Sequence, residues 1–218
     1  MGKYILYSDQ MSADNEKVHI KMKQLLGNGN LSLGYIPSTG DKDRKYFSNI
    51  KAFYKSYGIQ EFIFFDLGEE YDESKVDDLL SCNVIHLSGG DPIFLLNNIK
   101  KRNLKPVLKK YADNGIIIGV SGGACNIGAN ISLFKLFTSN LDEALGSRCQ
   151  LNSLELVDFE FLPHYNRWNK EFKDNVKEYS KRTGSVIYAC NDGDGIIVND
   201  GEVEFVGNII KIIDGEEM

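Results

Sequence analysis

Within these 218 residues the most constraining stretch runs from Gly115 to Gly128: Gly-Ile-Ile-Ile-Gly-Val-Ser-Gly-Gly-Ala-Cys-Asn-Ile-Gly. Ile116 to Val120 is a short apolar run rich in β-branched residues. It predicts a strand covered on both faces, as in a parallel sheet. The run ends at Gly119-Val120-Ser121-Gly122-Gly123, a G-x-S-x-G pattern. Glycines two before and two after the serine let the chain turn sharply from strand into helix, with the hydroxyl aimed out of the sheet. Ala124 to Gly128 then opens a helix, whose first N–H groups favour negative charge. The same residues also fit a plainer glycine-rich corner in which the serine only caps a helix. The rest of the chain has to decide between the two.

The first half supplies alternating strands and helices. Strands are predicted at Lys3–Ser8, Leu31–Ile36, Glu61–Leu67 and Asn83–Leu87. Helices are predicted at Asp14–Leu26, Asp43–Tyr57, Ile93–Ile99 and Leu104–Asn114, with acidic Gly68–Asp78 as a loop and solvated helix face. In Asp43–Tyr57 the aromatics recur at helical spacing, as a face laid on a sheet does. This alternation predicts an α/β fold, a doubly wound, mostly parallel sheet with helices on both faces. The second half changes character. Ser139–Gln150 reads as irregular or helical, Leu154–Leu162 as a strand, and Trp168 to Tyr179 as one face of a helix ending near Gly184. Short strands follow at Ser185–Cys190, Gly195–Val198, Val203–Val206 and Ile209–Ile213, with Asn199-Asp200-Gly201 as a hairpin turn and Asp214–Met218 as a frayed end. With no repeat or linker, residues 1–218 are expected to form a single domain.

Charge and cysteines narrow the function classes. Twenty-five basic residues against 31 acidic ones leave a net charge of −6, which argues against nucleic acid as a partner and offers no polybasic membrane patch. No apolar run reaches the length of a transmembrane helix, and the N-terminus lacks a signal-peptide pattern. Cys82, Cys125, Cys149 and Cys190 form no C-x-x-C pair and have no adjacent histidine. They read as free thiols in a reducing cytoplasm rather than as a zinc or disulfide set. No metal or cofactor is expected, and the state is expected to be monomer or homodimer.

A serine nucleophile needs a base, a group to orient that base, and donors for an oxyanion. Three histidines are available. His19 lies among lysines of the first helix and reads as exposed; His86 lies inside a strand and reads as a satisfied core residue. His164 follows an apolar strand and Pro163, where an open α/β sheet places reactive groups. For the acid, Asn191-Asp192-Gly193-Asp194 follows another apolar strand; Asp192 comes first and Asp194 is the alternative. Gly122 should give one oxyanion N–H, and Ser88-Gly89-Gly90 a second. The resulting order, Ser121, His164, Asp192, matches neither α/β-hydrolases nor chymotrypsin-like or subtilisin-like enzymes.

These four islands resemble the peptidase E family of serine peptidases, whose fold is like that of class I glutamine amidotransferases. Ile85 to Leu96 resembles its Gly-Gly-Asn-Thr segment, Gly119 to Ala124 its nucleophile corner, Phe161 to Tyr165 its Pro-His segment, and Ala189 to Val198 the segment carrying its acid. The resemblance implies a serine peptidase acting on small peptides, dipeptidase-like, with an acidic first residue. Departures bear on that specificity. Gly122 replaces alanine, which would loosen the corner; Asp192 replaces glutamate; Asp91 replaces asparagine and would set a carboxylate beside the oxyanion site. The family's Gly-Arg segment is missing after His164, leaving Arg167 as the candidate guanidinium for an acidic substrate. Two alternatives remain: a catalytically silent, ligand-binding member of the fold, and an amidotransferase-like amidase.

Overall fold

A computed structural model describes residues 2–218. In chain order the strands and helices begin β1 (Lys3–Tyr7), α1 (Glu16–Leu26), β2 (Leu31–Ile36), α2 (Lys45–Lys55) and β3 (Ile59–Phe64). Next come α3 (Val76–Ser81), β4 (Val84–Leu87), α4 (Pro92–Lys101), α5 (Lys105–Tyr111), β5 (Ile116–Val120) and α6 (Gly122–Ile127). The second half holds α7 (Leu141–Gly146), β6 (Glu160–Leu162), α8 (Lys170–Thr183), β7 (Ile187–Ala189), β8 (Gly195–Asn199), β9 (Glu202–Val206), β10 (Ile210–Ile213) and β11 (Glu216–Glu217).

A seven-stranded sheet runs β3-β2-β4-β5-β1-β8-β9. Its first five positions are parallel, and β8 and β9 complete it antiparallel. Alternation of side chains along each strand explains the two helical layers. Leu6, Ile85, Leu87 and Ile117 face one way, into a core with Leu79, Leu95, Ile99, Leu108 and Ile127. Ile5, Tyr7, Val84 and Ile118 face the other way, against Val18, Met22, Phe47 and Tyr54 of α1 and α2. Residues buried on both faces must be apolar throughout, so these strands read as continuous Val/Ile/Leu runs.

A second sheet, β11-β10-β7-β6, stands beside the first. Phe161 and Cys190 at its inner face join the main core. Leu162, Ile187, Ala189 and Ile212 at its outer face pack on Val176 and Tyr179 of α8. The strands after α7 therefore divide between two sheets, where the sequence predicted one doubly wound sheet.

Other expectations shift as well. β3 begins and ends earlier than Glu61–Leu67. Only Glu160–Leu162 of the apolar run from Leu154 is strand; Leu154, Glu155 and Leu156 instead donate backbone N–H bonds to the Asn126, Gly128 and Ile127 carbonyls at the C-terminal end of α6. The tail is paired rather than frayed: Ile213 and Glu216 face each other in β10–β11, and Tyr165 donates to Glu217 at 2.6 Å. His19 is half-buried in an aromatic cluster with Tyr7, Phe53 and Tyr57 rather than exposed, and burial lowers its pKa. The hairpin turn at Asp200-Gly201 is as expected, with φ 52° and 95°.

Candidate active site

Ser121 stands between β5 and α6 with φ 48° and ψ −113°. An L residue held there stores about 1–3 kcal/mol of strain, which the surroundings must impose. The restraints are visible. The Ser121 N–H donates to the Tyr7 carbonyl at 2.9 Å, extending the β1–β5 pairing, while its own carbonyl accepts from Cys125 N–H at 3.0 Å as the first turn of α6. A Cβ at Gly123 would overlap the Leu87 carbonyl, and one at Gly119 the Ala124 backbone, so neither position can carry a side chain. The corner is therefore closed by its glycines, and the hydroxyl is left free to point outward.

It points at His164. The Ser121 Oγ lies 2.9 Å from His164 Nε2, and His164 Nδ1 lies 2.6 Å from Asp192 Oδ1. A carboxylate only accepts, so Nδ1 carries the ring proton and Nε2 is left to accept from the serine hydroxyl. His164 follows β6 in a left-handed backbone conformation, φ 59° and ψ 32°. Its backbone N–H donates to Ser8 Oγ at 2.7 Å. Asp192 follows β7, and its N–H donates to Asn166 Oδ1 at 3.0 Å. Burial would raise the Asp192 carboxyl, but hydrogen bonds from His164 and Arg167 outweigh it and hold it below the usual carboxylate value.

The remaining sequence candidates divide. Asp194 is not at the histidine: its carboxylate accepts the Asn191 and Asn208 N–H groups and braces its own turn. Asp91 is the N-cap of α4, with Oδ1 accepting from Ile93 N–H at 2.8 Å and Phe94 N–H at 3.1 Å. Its carboxylate is thus engaged by the helix, the ordinary use of an aspartate before a proline, and is not a spare charge at the oxyanion site. Arg167 is not poised to receive an acidic substrate. Its Nε donates to Asp192 Oδ2 at 2.5 Å and an NH2 group donates to Asp9 Oδ2 at 2.8 Å.

Gly89 and Gly90 do lie against the corner; a Cβ at Gly89 would be 3.6 Å from Ser121 Cβ. The Gly89 carbonyl accepts from Ser38 Oγ and from Ser88 Oγ. In a trans peptide that turns the Gly90 N–H the opposite way. Gly122 is the first residue of α6, where the N–H has no acceptor within the helix. A Cβ there would overlap the Gly90 carbonyl oxygen. Glycine at 122 thus does not loosen the corner; it makes room for the neighbouring turn.

Residues 5–206 match the family model of peptidase family S51. The chain belongs to peptidase family S51. An uncharacterized peptidase of Listeria monocytogenes, Lmo0363, is 32% identical over 55% of this chain and 58% of its own. This S51 chain therefore spans less than two thirds of that relative's length. Among solved structures, a protein of Listeria monocytogenes EGD-e assigned to peptidase E superposes with a TM-score of 0.71 at 21% identity, covering 94% of this chain and 98% of the other. A peptidase from an acI-B1 Actinobacterium gives 0.74 at 17% identity, covering 100% and 93%. At such identities the likeness speaks for the fold, which is that of the peptidase E structures.

Residues missed in the sequence complete the candidate site. Ser8, fully buried at the end of β1, accepts from His164 N–H and donates to the Cys190 carbonyl at 3.1 Å. Asp9 and Asn166 hold Arg167 and Asp192. A small polar residue ending an apolar strand was the available signal for Ser8. One ligand atom each from Asp9, His164 and Asp192 lies within 4.8 Å of the others, the spacing of a three-ligand metal cluster. Arg167 already places a cation between Asp9 and Asp192. Among the described residues no helix is long and apolar enough to cross a membrane.

Proposed function

We propose that the protein is a serine-type peptidase working through Ser121, His164 and Asp192. The observation that carries this reading is the unbroken path of 2.9 Å and 2.6 Å from hydroxyl to imidazole to carboxylate. Ser121 Oγ attacks the scissile carbonyl carbon while its proton passes to His164 Nε2. The carbonyl π pair moves to oxygen, and the N–H groups of Gly122 and Gly90 receive the oxyanion. When the tetrahedral species collapses, the C–N bond breaks and the imidazolium returns the proton to the leaving amine. Water then repeats the sequence on the acyl-enzyme. Asp192 does not take the proton; it keeps Nδ1 protonated and stabilises the imidazolium.

Small peptides are the substrate class that fits. A cleft of about 420 Å3 adjoins Gly89, Gly90 and Val120, at the small end for a ligand pocket. Dipeptidase-like action follows from the family resemblance of the sequence. An acidic first residue has no equal support, because the Arg167 guanidinium is held by two carboxylates.

The amidase alternative would need a thiolate. Cys125 is buried, its thiol pushed up to about 12 by burial, and Sγ bonds to the Phe161 carbonyl at 3.4 Å. It is placed to pack rather than to attack. Ser121→Ala is expected to abolish both dipeptide turnover and labelling by a small fluorophosphonate. Equal labelling of the variant and the parent would remove Ser121 as the nucleophile. An aligned triad with no labelling of the parent would favour a ligand-binding role.

A further inference from the structure

β9 ends the seven-stranded sheet, and its outer flank meets no strand. Asp200 and Gly201 form the two-residue turn into it, with φ 52° and 95°. Asn199 and Glu202 are therefore the pair that exchanges backbone hydrogen bonds where the hairpin closes. Bonded and non-bonded pairs alternate along an antiparallel ladder. Glu202, Glu204 and Val206 thus bond to β8, while the N–H and C=O groups of Val203 and Phe205 point away from it. The run from Glu202 to Phe205 is exposed throughout. Free ladder groups of this kind are a template for another strand.

The two faces of this edge differ. Val203 and Phe205 lie opposite Val198 and Ile196, on the face of the main core, yet are 43% and 45% exposed. Phe205 packs on Tyr188 of β7, with 4.8 Å between ring centroids. Val203 lines a surface groove with Leu156, Val157 and Val198. Glu204 is on the other face, toward α1, where Lys21 Nζ lies 2.6 Å from its Oε1. The edge therefore carries two free ladder residues, an apolar row on one face and a compensated charge on the other.

We propose that β9 pairs antiparallel with β9 of a second copy of this chain, about a two-fold axis through Glu204. In this register Val203 faces Phe205 of the partner subunit, and Phe205 faces Val203 of the partner subunit. Both outward-bonding residues of each copy are then used, which makes four backbone hydrogen bonds. Each apolar side chain meets an apolar one, and Phe205 of the partner subunit comes over the groove beside Val203. Other registers lose this match. An axis through Val203 sets Phe205 against Gly201 in the turn, and one through Phe205 sets Val203 against Gly207 beyond the strand. Glu204 faces Glu204 of the partner subunit, which alone would be unfavourable. Each glutamate brings its own Lys21, so the cluster is neutral. A two-fold contact closes on itself, and assembly stops at the dimer. So short a pairing belongs with the small, transient interfaces.

Sedimentation equilibrium of the full-length protein from about 5 to about 500 µM covers the affinities of such interfaces. A monomer–dimer equilibrium is expected. Val203→Pro removes an outward N–H that β8 does not use, at an edge where proline is tolerated. With one bond lost from each copy, the dimer should weaken about tenfold or more. Phe205→Lys replaces the apolar contact with a charge and should weaken it as much; it decides alone if Val203→Pro does not fold. The register is tested by cross-linking in a Cys149→Ser background, which removes the exposed native thiol. Glu204→Cys sets two thiols at facing, non-bonded positions with Cα atoms about 4.5 Å apart, within disulfide reach. Mild oxidation should then trap the dimer covalently. Glu202→Cys leaves its two thiols about 13 Å apart along the strands and should not cross-link. A protein that stays monomeric, assembly beyond the dimer, a dimer whose affinity Phe205→Lys leaves unchanged, or equal cross-linking at 202 and 204 overturns the inference.

Discussion

Arg167 donates through Nε to one carboxylate and through NH2 to another, and the geometry makes it a positioning residue. Asp192 Oδ1 is on the imidazole; Oδ2 is on the guanidinium, with Asn166 Nδ2 at 3.3 Å. Arg167→Met should free the carboxylate to rotate away from His164. We expect kcat to fall about tenfold or more with little change in KM, since the loss lies in alignment. The pH profile gives an independent sign. Asp192 is held below its ordinary value, partly by Arg167. Without the guanidinium it protonates at higher pH, so the acid limb of kcat should move upward. A rise in KM confined to acidic substrates would restore Arg167 to the substrate-reading role inferred from sequence. His86 sets a second pH effect. Its folded pKa, about 3, lies below the unfolded value near 6.5, so the unfolded chain binds the proton more readily. Stability from this group is complete above about pH 6.5 and falls as pH drops toward the folded value, by about 2 kcal/mol at pH 5. Urea titrations at pH 7 and pH 5 read it directly. Ser121, His164 and Asp192 were legible because each is a polar residue just past an apolar strand. Ser8 occupies the same kind of position but was read only as the end of a strand, since what it touches lies in another sheet.

Secondary-structure elements were legible where a strand is buried on both faces. Ile116–Val120 could hardly be anything else, whereas Leu154–Leu162 misled, because apolar residues also line an irregular segment packed beside α6. The tail misled in the other direction. Asp214–Met218 is polar, yet Gly215 turns it back so that Met218 and Lys211 exchange backbone hydrogen bonds. Glycine demands separate in the same way. Gly119 lies in β5 with a positive claim on space, because its missing Cβ is occupied by the Ala124 backbone. Gly119→Ala should cost about 3 kcal/mol by overpacking. Gly146, at the end of α7, has open space for 4 Å around the point where a methyl would sit, and no positive φ. Gly146→Ala should be neutral or stabilise by up to about 1 kcal/mol through the unfolded chain. Urea midpoints at constant slope distinguish the two.

Across the molecule, the site is an assembly of two sheets. The nucleophile belongs to the seven-stranded sheet; the base and acid belong to the end of the four-stranded one. Phe161 and Leu162, adjacent in β6, enter different cores, so the small sheet is clamped between the main core and α8. On that ground we propose that residues 1–218 unfold as one domain. Ser8 is the polar bolt between the halves. Its hydroxyl accepts from His164 N–H and donates to the Cys190 carbonyl, and its own N–H donates to the Asp194 carbonyl at 3.3 Å. One side chain thereby fixes the segments that carry both partners of the serine. Ser8→Ala would leave the His164 N–H without its acceptor and the Cys190 carbonyl without one donor. The buried N–H alone should cost about 1–3 kcal/mol. Stability loss would be shared by any core defect, so the diagnostic readout is kinetic. Ser8 itself does not line the cleft beside the serine corner, so KM should stay near the parent value. The imidazole would drift from Oγ, and kcat should fall by about tenfold or more. A Ser8→Ala protein that is less stable but keeps its kcat would show that the hydroxyl secures the fold without setting the base.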